Sequence, residues 1–300
     1  MLVAVVSVKG SPGVTTFSVA LAARWPAPAR VLLVEAEPSG GDVATRFSLA
    51  STPGLVSLAA AARRSGDPAT VWQHGQTLPG GLPVVTAPPD ADRAQAALAA
   101  LADPSTGTGI LEAAAHAPDT VAIVDCDRID TGSVAMPIVR SADGMILLTR
   151  AHADDLAHLA RRLPAMGRWT SRPVMLLVGE GYSPVEVARE LGVQPLGRIP
   201  DDPRGAAVLC GRPSVARPRR SGPARSALGQ VAHKVATVLI AEQAPPPALR
   251  HQEPVQSQPM PVLRAVPGVF ADLVSTNGLR LAPVPPQPTP ENTSRGGQAS

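Results

Sequence analysis

Residues 2–25 read LVAVVSVKGSPGVTTFSVALAARW. The run Leu2–Val8 is apolar and continuous rather than alternating, the pattern of a short strand buried on both faces. A glycine-containing loop, Lys9 to Thr16, follows it. From Thr15 to Trp25, apolar residues recur at Phe17, Val19, Ala20 and Ala23, a helical face that must stop near Pro26 and Pro28. The same alternation continues outward. Strands are predicted over Val31–Val34, Leu82–Thr86, Val121–Val124, Met145–Leu148, Val174–Val178 and Leu196–Ile199. Helices are predicted over Leu55–Arg64, Ala91–Leu101, Ala153–Leu163, Pro184–Leu191 and Ser226–Ala241. Short apolar strands separated by helices specify an α/β, doubly wound, mainly parallel sheet covered on both faces. Ligands of such sheets sit beyond the carboxyl ends of the strands, so the residues just after each strand carry the functional signal.

Hydrophobic residues make up 44% of the 300, but only 2% are aromatic, so Ala, Val and Leu fill the core. No apolar run reaches the roughly 18 residues of a membrane span. The first residues, MLVAVVSVKG, read as a strand rather than a signal peptide. Two cysteines, Cys126 and Cys210, do not make a disulfide framework, which points to a reducing, cytoplasmic setting. The six histidines show no metal-ligand clustering. The formal charge of +3 is uneven: residues 203–241 hold seven basic side chains and no acid. From residue 242 the chain becomes rich in Pro, Gln and Ser, the composition of a disordered tail, interrupted by one apolar island, Gly268–Val274. The expected division is thus 1–241 for the folded domain, with 203–241 its basic segment, and 242–300 for the tail.

Three loops stand out. The first, Lys9-Gly10-Ser11-Pro12-Gly13-Val14-Thr15-Thr16, can turn backbone N–H groups towards phosphate oxygens, with the positive end of the following helix behind them. Thr15 stands where a hydroxyl could bind Mg²⁺. The ordinary pattern G-x-x-x-x-G-K-[ST] is not met, because Val8 and Val14 hold its first Gly and its Lys positions. A plain turn is the alternative. Lys9 is one of only two lysines among 27 basic residues, and a compact ammonium suits phosphate as a point charge. The second loop, Glu35-Ala36-Glu37-Pro38-Ser39-Gly40-Gly41-Asp42, places two carboxylates at i and i+2 at a strand end, for a metal-bound water and an attacking water, or for a solvated turn. The third strand end is Asp125-Cys126-Asp127, where Asp125 is either a Mg²⁺-associated acid or a helix cap.

Taken in order, these loops resemble the ParA/MinD family of ATPases, whose deviant phosphate loop is K-G-G-x-G-K-[ST]-[ST]. Lys9-Gly10, Gly13 and Thr15-Thr16 match it. Val31–Val43 is similar to the family's V-D-x-D-P motif, and Val121–Asp127 to its Walker B strand. Ser183–Arg212 resembles its run ending in G-x-I-P-x-D-x-x-x-A. The resemblance covers residues 1–241 and implies a P-loop NTPase-like domain binding ATP and Mg²⁺ as a sandwich homodimer. It implies that Lys9 reaches the partner's phosphates and that Gly10, Ser11, Gly13, Val14, Thr15 and Thr16 line the nucleotide. By the same resemblance Thr15 and Asp125 serve Mg²⁺, Glu37 sits by the attacking water, and Pro200 and Asp202 lie by the adenine. The implied role is nucleotide-dependent partitioning of chromosomes or plasmids, or subcellular positioning. The alternative is a non-hydrolysing adaptor that localises a pilus, secretion or cell-pole assembly.

Departures from the pattern are specific. Val14 removes the in-cis lysine, a charge-assisted contact whose loss costs on the order of 2–4 kcal/mol in a desolvated site, so any ATPase is expected to be weak. Glu35 and Glu37 replace the usual Asp pair, and Gly179 stands where many members carry an adenine-contacting Asn. Arg46 is a candidate for a compensating charge. Arg212, Arg217, Arg219, Arg220 and Arg225 are candidates for non-specific DNA phosphate contacts, the alternative being a solvated linker. The island around Phe270 is a candidate site for an unknown protein partner.

Overall fold

The computed structural model describes residues 1–102, 108–170, 172–211 and 223–243. The described residues form one compact unit, and residues 244–300 lie outside them. In chain order the elements are β1 (Leu2–Ser7), α1 (Val14–Arg24), β2 (Arg30–Glu35), α2 (Val43–Arg46), α3 (Leu55–Ala62), α4 (Ala69–Gln73), β3 (Gln76–Thr77), β4 (Pro83–Val85), α5 (Ala91–Ala102) and α6 (Thr108–Ala115). They continue with β5 (Thr120–Arg128), α7 (Met136–Ser141), β6 (Gly144–Ala151), α8 (Ala153–Met166), β7 (Pro173–Gly181), α9 (Pro184–Leu191), β8 (Gly197–Ile199), α10 (Pro203–Leu209), a 3-10 turn at Pro223–Arg225, and α11 (Ala227–Gln243).

The strands form one sheet in the order β3-β4-β2-β5-β1-β6-β7-β8. Every pairing is parallel except β3 with β4, at one edge. The period of two along each strand divides the core cleanly. From β1, Leu2, Ala4 and Val6 face a cluster built with α3, α5, α6, α7 and α8. Val3 and Val5 face the opposite cluster, built with α1 and α11 through Phe17, Leu21, Val235 and Leu239. The two-sided sheet expected from the sequence is therefore present, with every residue of β1 buried.

The chain turns one way from β1, through α1 to β2, and the other way from β5 to β6. In doubly wound sheets ligands bind where the chain reverses in this way, here at the carboxyl ends of β1, β2 and β5. Three of the candidate loops leave the sheet there. Five helices fall where the sequence reading placed none: α2, α4, α6, α7 and α10. The last helix extends to Gln243, two residues past the expected domain boundary. No helix among the described residues is long and apolar enough to cross a membrane.

Candidate functional site at the carboxyl ends of β1, β2 and β5

The loop after β1 is shaped by two glycines in the left-handed region, Gly10 at φ 66° and Gly13 at φ 93°. Gly13 is the N-cap of α1 and has no side chain to satisfy the first-turn N–H groups. An uncapped helix start aimed into a crevice favours an anion. Val14 does not face that crevice. It is 1% exposed and belongs to the core cluster with Val3, Val5 and Phe17. Ser11 and Gly10 are exposed at the rim. Lys9 leans across to the first turn of α8, where its Nζ lies 3.1 Å from Asp154 Oδ2. That hydrogen bond holds the Asp154 carboxyl below its ordinary range.

Thr15 and Asp125 come together. Asp125 ends the apolar part of β5, in register with Val5 of β1 and Glu35 of β2. Its side chain is fully buried, and the Thr15 side chain lies close enough to pull its carboxyl pKa down. Oδ1 accepts from Asp127 N at 3.2 Å, while Oδ2 is buried without a hydrogen-bond partner among the described residues. Burial pushes the Asp125 carboxyl up to about 7, the nearby Thr15 hydroxyl opposes this, and the carboxylates of Glu35 and Asp127 add to the rise. An orphaned, buried oxygen beside a hydroxyl is a set of hard donors, and it suits a hard divalent cation such as Mg²⁺. The residues present thus fit the metal that the resemblance implies.

The two glutamates after β2 separate in role. Glu35 is fully buried and faces backbone. Oε1 accepts from Asp42 N at 2.8 Å and Val43 N at 2.9 Å, and Oε2 accepts from Ala87 N at 2.9 Å. A Cβ at Gly41 would run into this carboxylate, so glycine is what lets the loop close over it. Glu35 therefore anchors the loop and the start of α2, and the metal-bound-water role considered for one of the pair does not fall to it. Burial raises its carboxyl pKa, against the pull of its backbone donors. Glu37 is half-buried and lies near Asp127, which sits at φ 44° beside an irregularity in the β1–β5 pairing. Burial, then the charges of Asp127, Asp125, Glu35 and Asp42, lift Glu37 to about 8.

Carboxyls raised in this way are protonated more readily in the folded chain than in the unfolded one. Their contribution to stability is present in acid and is lost as pH rises through the folded values. Without nucleotide, the melting temperature is expected to fall between about pH 5 and about pH 8, the window between ordinary carboxyl values and those of Asp125 and Glu37. Thermal denaturation across that range, with Glu37→Gln beside the wild type, checks this. The variant should show the shallower fall, and a wild type whose stability climbs towards pH 8 contradicts it.

The far side of the crevice is built by β7, β8 and α10. Asp202 caps α10, its Oδ1 accepting from Gly205 N at 2.8 Å, and its Oδ2 accepts from Leu228 N of α11 at 3.1 Å. Both of its oxygens are thus taken by backbone, beside the half-buried Pro200. Gly179, near the end of β7, has φ 68°, and its carbonyl and that of Tyr182 both accept from the Arg198 guanidinium. Thr16, on the first turn of α1, places Oγ1 3.3 Å from Cys210 Sγ at the end of α10. Arg225 is exposed in the 3-10 turn, and Arg212, Arg217, Arg219, Arg220 and the island at Phe270 lie outside the described residues.

The sequence reading did not anticipate Asp154 as the partner of Lys9, nor Glu35 as an anchor. The second had a signal, the Gly40-Gly41 pair, which marks a close approach of backbone to another group.

No family model matches this chain, and no curated protein matches it. Solved structures do match in fold. A ParA family ATPase from Chlorobium tepidum TLS superposes with a TM-score of 0.61 at 18% identity, over 79% of this chain and 97% of that one. The septum site-determining protein MinD from Pyrococcus horikoshii OT3, complexed with Mg-ADP, gives 0.58 at 19% identity, over 79% and 98%. An ATP complex of McdA from Cyanothece gives 0.55 at 16% identity, over 79% and 96%. The fold is that of the ParA/MinD ATPases.

Proposed function

We propose that this chain binds Mg²⁺–ATP in the crevice at the carboxyl ends of β1, β2 and β5 and acts as a nucleotide-switched partitioning or positioning protein. The observation that carries this reading is the buried, unpartnered Asp125 Oδ2 beside the Thr15 hydroxyl and the uncapped start of α1. Two of the structural neighbours carry nucleotide in their solved forms, Mg-ADP in MinD and ATP in McdA. In this chain the first-turn N–H groups of α1 would hold phosphate oxygens, and Thr15 and Asp125 would hold the metal, which neutralises phosphate charge when bound. Glu37 stands at the mouth of the site, where a carboxylate can orient a water once the neighbouring charges are balanced. Turnover is expected to be slow, because Val14 offers no cation to the transferred phosphoryl group.

The switch itself would be dimerisation. Lys9 is held only by an exposed ion pair with Asp154, worth little in water. It is free to leave Asp154 for phosphates presented by a second copy. Mass measurement during size exclusion should therefore show a monomer without nucleotide and a dimer in Mg²⁺–ATP. Lys9→Ala should bind nucleotide yet stay monomeric. A wild type that remains monomeric at saturating Mg²⁺–ATP, or a Lys9→Ala variant that dimerises as well as the wild type, contradicts the switch. The basic residues after β8 would give the dimer a salt-dependent affinity for DNA phosphates.

A further inference from the structure

We infer that Arg46 supplies the in-cis cation for the phosphates of a bound nucleoside di- or triphosphate, in place of the lysine that Val14 displaces. The inference rests on the nucleotide reading above and names the residue that completes that site.

The need for a cation is structural. At position 14 the side chain points into the core, and Lys9 is drawn outward to Asp154. The ends of β2 and β5 instead bring together Glu37, Asp125 and Asp127, with Glu35 buried beside them: Asp127, Asp125 and Glu35 raise Glu37, and Glu35 and Asp127 raise Asp125. Arg46 approaches it from α2. Its Nη2 donates to Asp42 Oδ2 at 2.8 Å, one turn earlier on the same segment. Nη1 is turned to the Cys210 sulfur at 4.0 Å, and that sulfur lies 3.3 Å from the Thr16 hydroxyl on the first turn of α1. The guanidinium is thus one thiol away from the helix start that would hold phosphate. A fork with one arm anchored on a carboxylate and the other held only by a thiol sulfur, a weak acceptor, is suited to turn that second arm to a phosphate oxygen.

The position is fixed rather than accidental. Glu35 accepts from Asp42 N and Val43 N, which pins the start of α2 three residues before Arg46. On the other side, Gly211 packs against the Arg46 carbonyl so closely that a Cβ there would collide with it. The unpartnered oxygen of Asp125 points independently to a charged ligand at this same helix start.

The test compares Arg46→Gln with Arg46→Lys in the full chain, titrating ATP and ADP in Mg²⁺ and following binding by calorimetry. Nucleotide-free melting temperature is the control for folding. Loss of one charge-assisted phosphate contact should weaken both nucleotides about 10- to 100-fold in Arg46→Gln, while Arg46→Lys stays within about threefold of wild type. Equal affinity in Arg46→Gln and wild type overturns the assignment. So does an equal loss in both variants, which would make Arg46 a packing residue only. Should Arg46→Gln melt far below wild type, the Arg46→Lys comparison decides: retained affinity supports the inference and a 10-fold or larger loss, roughly the size of that contact, overturns it. A wild type that binds neither nucleotide removes the site itself, a different failure from one confined to Arg46.

Discussion

Replacing Glu35 by alanine is expected to lower the unfolding free energy by about 3–5 kcal/mol. The side chain is fully buried and takes three backbone N–H groups, from Asp42, Val43 and Ala87. Alanine leaves all three without an acceptor, at roughly 1–3 kcal/mol each, and opens a space beneath Gly41. Part of that loss is offset, because the buried carboxyl is itself held at a raised pKa and its removal relieves a desolvation cost. Glu35→Gln should fall between the two. Its amide oxygen can still serve Asp42 and Val43, but its NH₂ group meets the Ala87 N–H, donor against donor. Urea denaturation at neutral pH measures the difference as a shift of midpoint at constant slope. A loss below about 1 kcal/mol for Glu35→Ala would show that the loop does not depend on this anchor.

Asp125→Asn should act in opposite directions on stability and on binding. The aspartate is buried, and its carboxyl is raised from an ordinary 3.8 to about 7. A carboxyl raised on folding stabilises below its unfolded value, and that contribution disappears as pH rises through about 7. At about pH 8 it is ionised in both states, and the folded state bears the whole burial cost. Asparagine removes that charge with little change of shape. The nucleotide-free protein should therefore gain on the order of 2–4 kcal/mol at that pH. The same change removes the oxygen charge that suits Mg²⁺. Nucleotide affinity in Mg²⁺ should drop about 100-fold and should no longer respond to chelation of the metal. A variant that is less stable than wild type at alkaline pH, yet binds Mg²⁺–ATP as well, would mean that Asp125 is a packing residue.

What was legible in the sequence was whatever depends on local pattern. The continuous apolar runs at Leu2–Val8, Val31–Val34 and Val174–Val178 are strands because their central residues are buried, and their positions held to within one residue except at the end of β7, which runs three residues further, to Gly181. The helix after the glycine loop begins at Val14, where Gly13 takes a conformation that suits glycine. Asp125 and Thr15 were read from their places after a strand and at a helix start, and those places bring them into contact.

What was not legible depends on distant partners. The four-residue α2 has no amphipathic pattern of its own; it is held by Glu35 from a neighbouring strand end. Glu35 and Glu37 look alike in sequence, two acids at i and i+2. Their roles separate only because the Gly40-Gly41 loop folds back over the first and leaves the second at the rim. The start of α10 did carry a local signal, Asp202 before Pro203, a cap followed by a first-turn proline. The resemblance assigned that Asp to the adenine, and the fold uses its carboxylate as a cap.

The most direct test of nucleotide binding is calorimetric titration of the full chain with ATP, in Mg²⁺ and again in excess chelator. Saturable binding of about one ATP per chain is expected, weakened about 10-fold or more when the metal is removed. Absence of saturable binding at millimolar ATP, or binding indifferent to Mg²⁺, would contradict the assignment of Thr15, Asp125 and the start of α1 to a nucleotide and its metal.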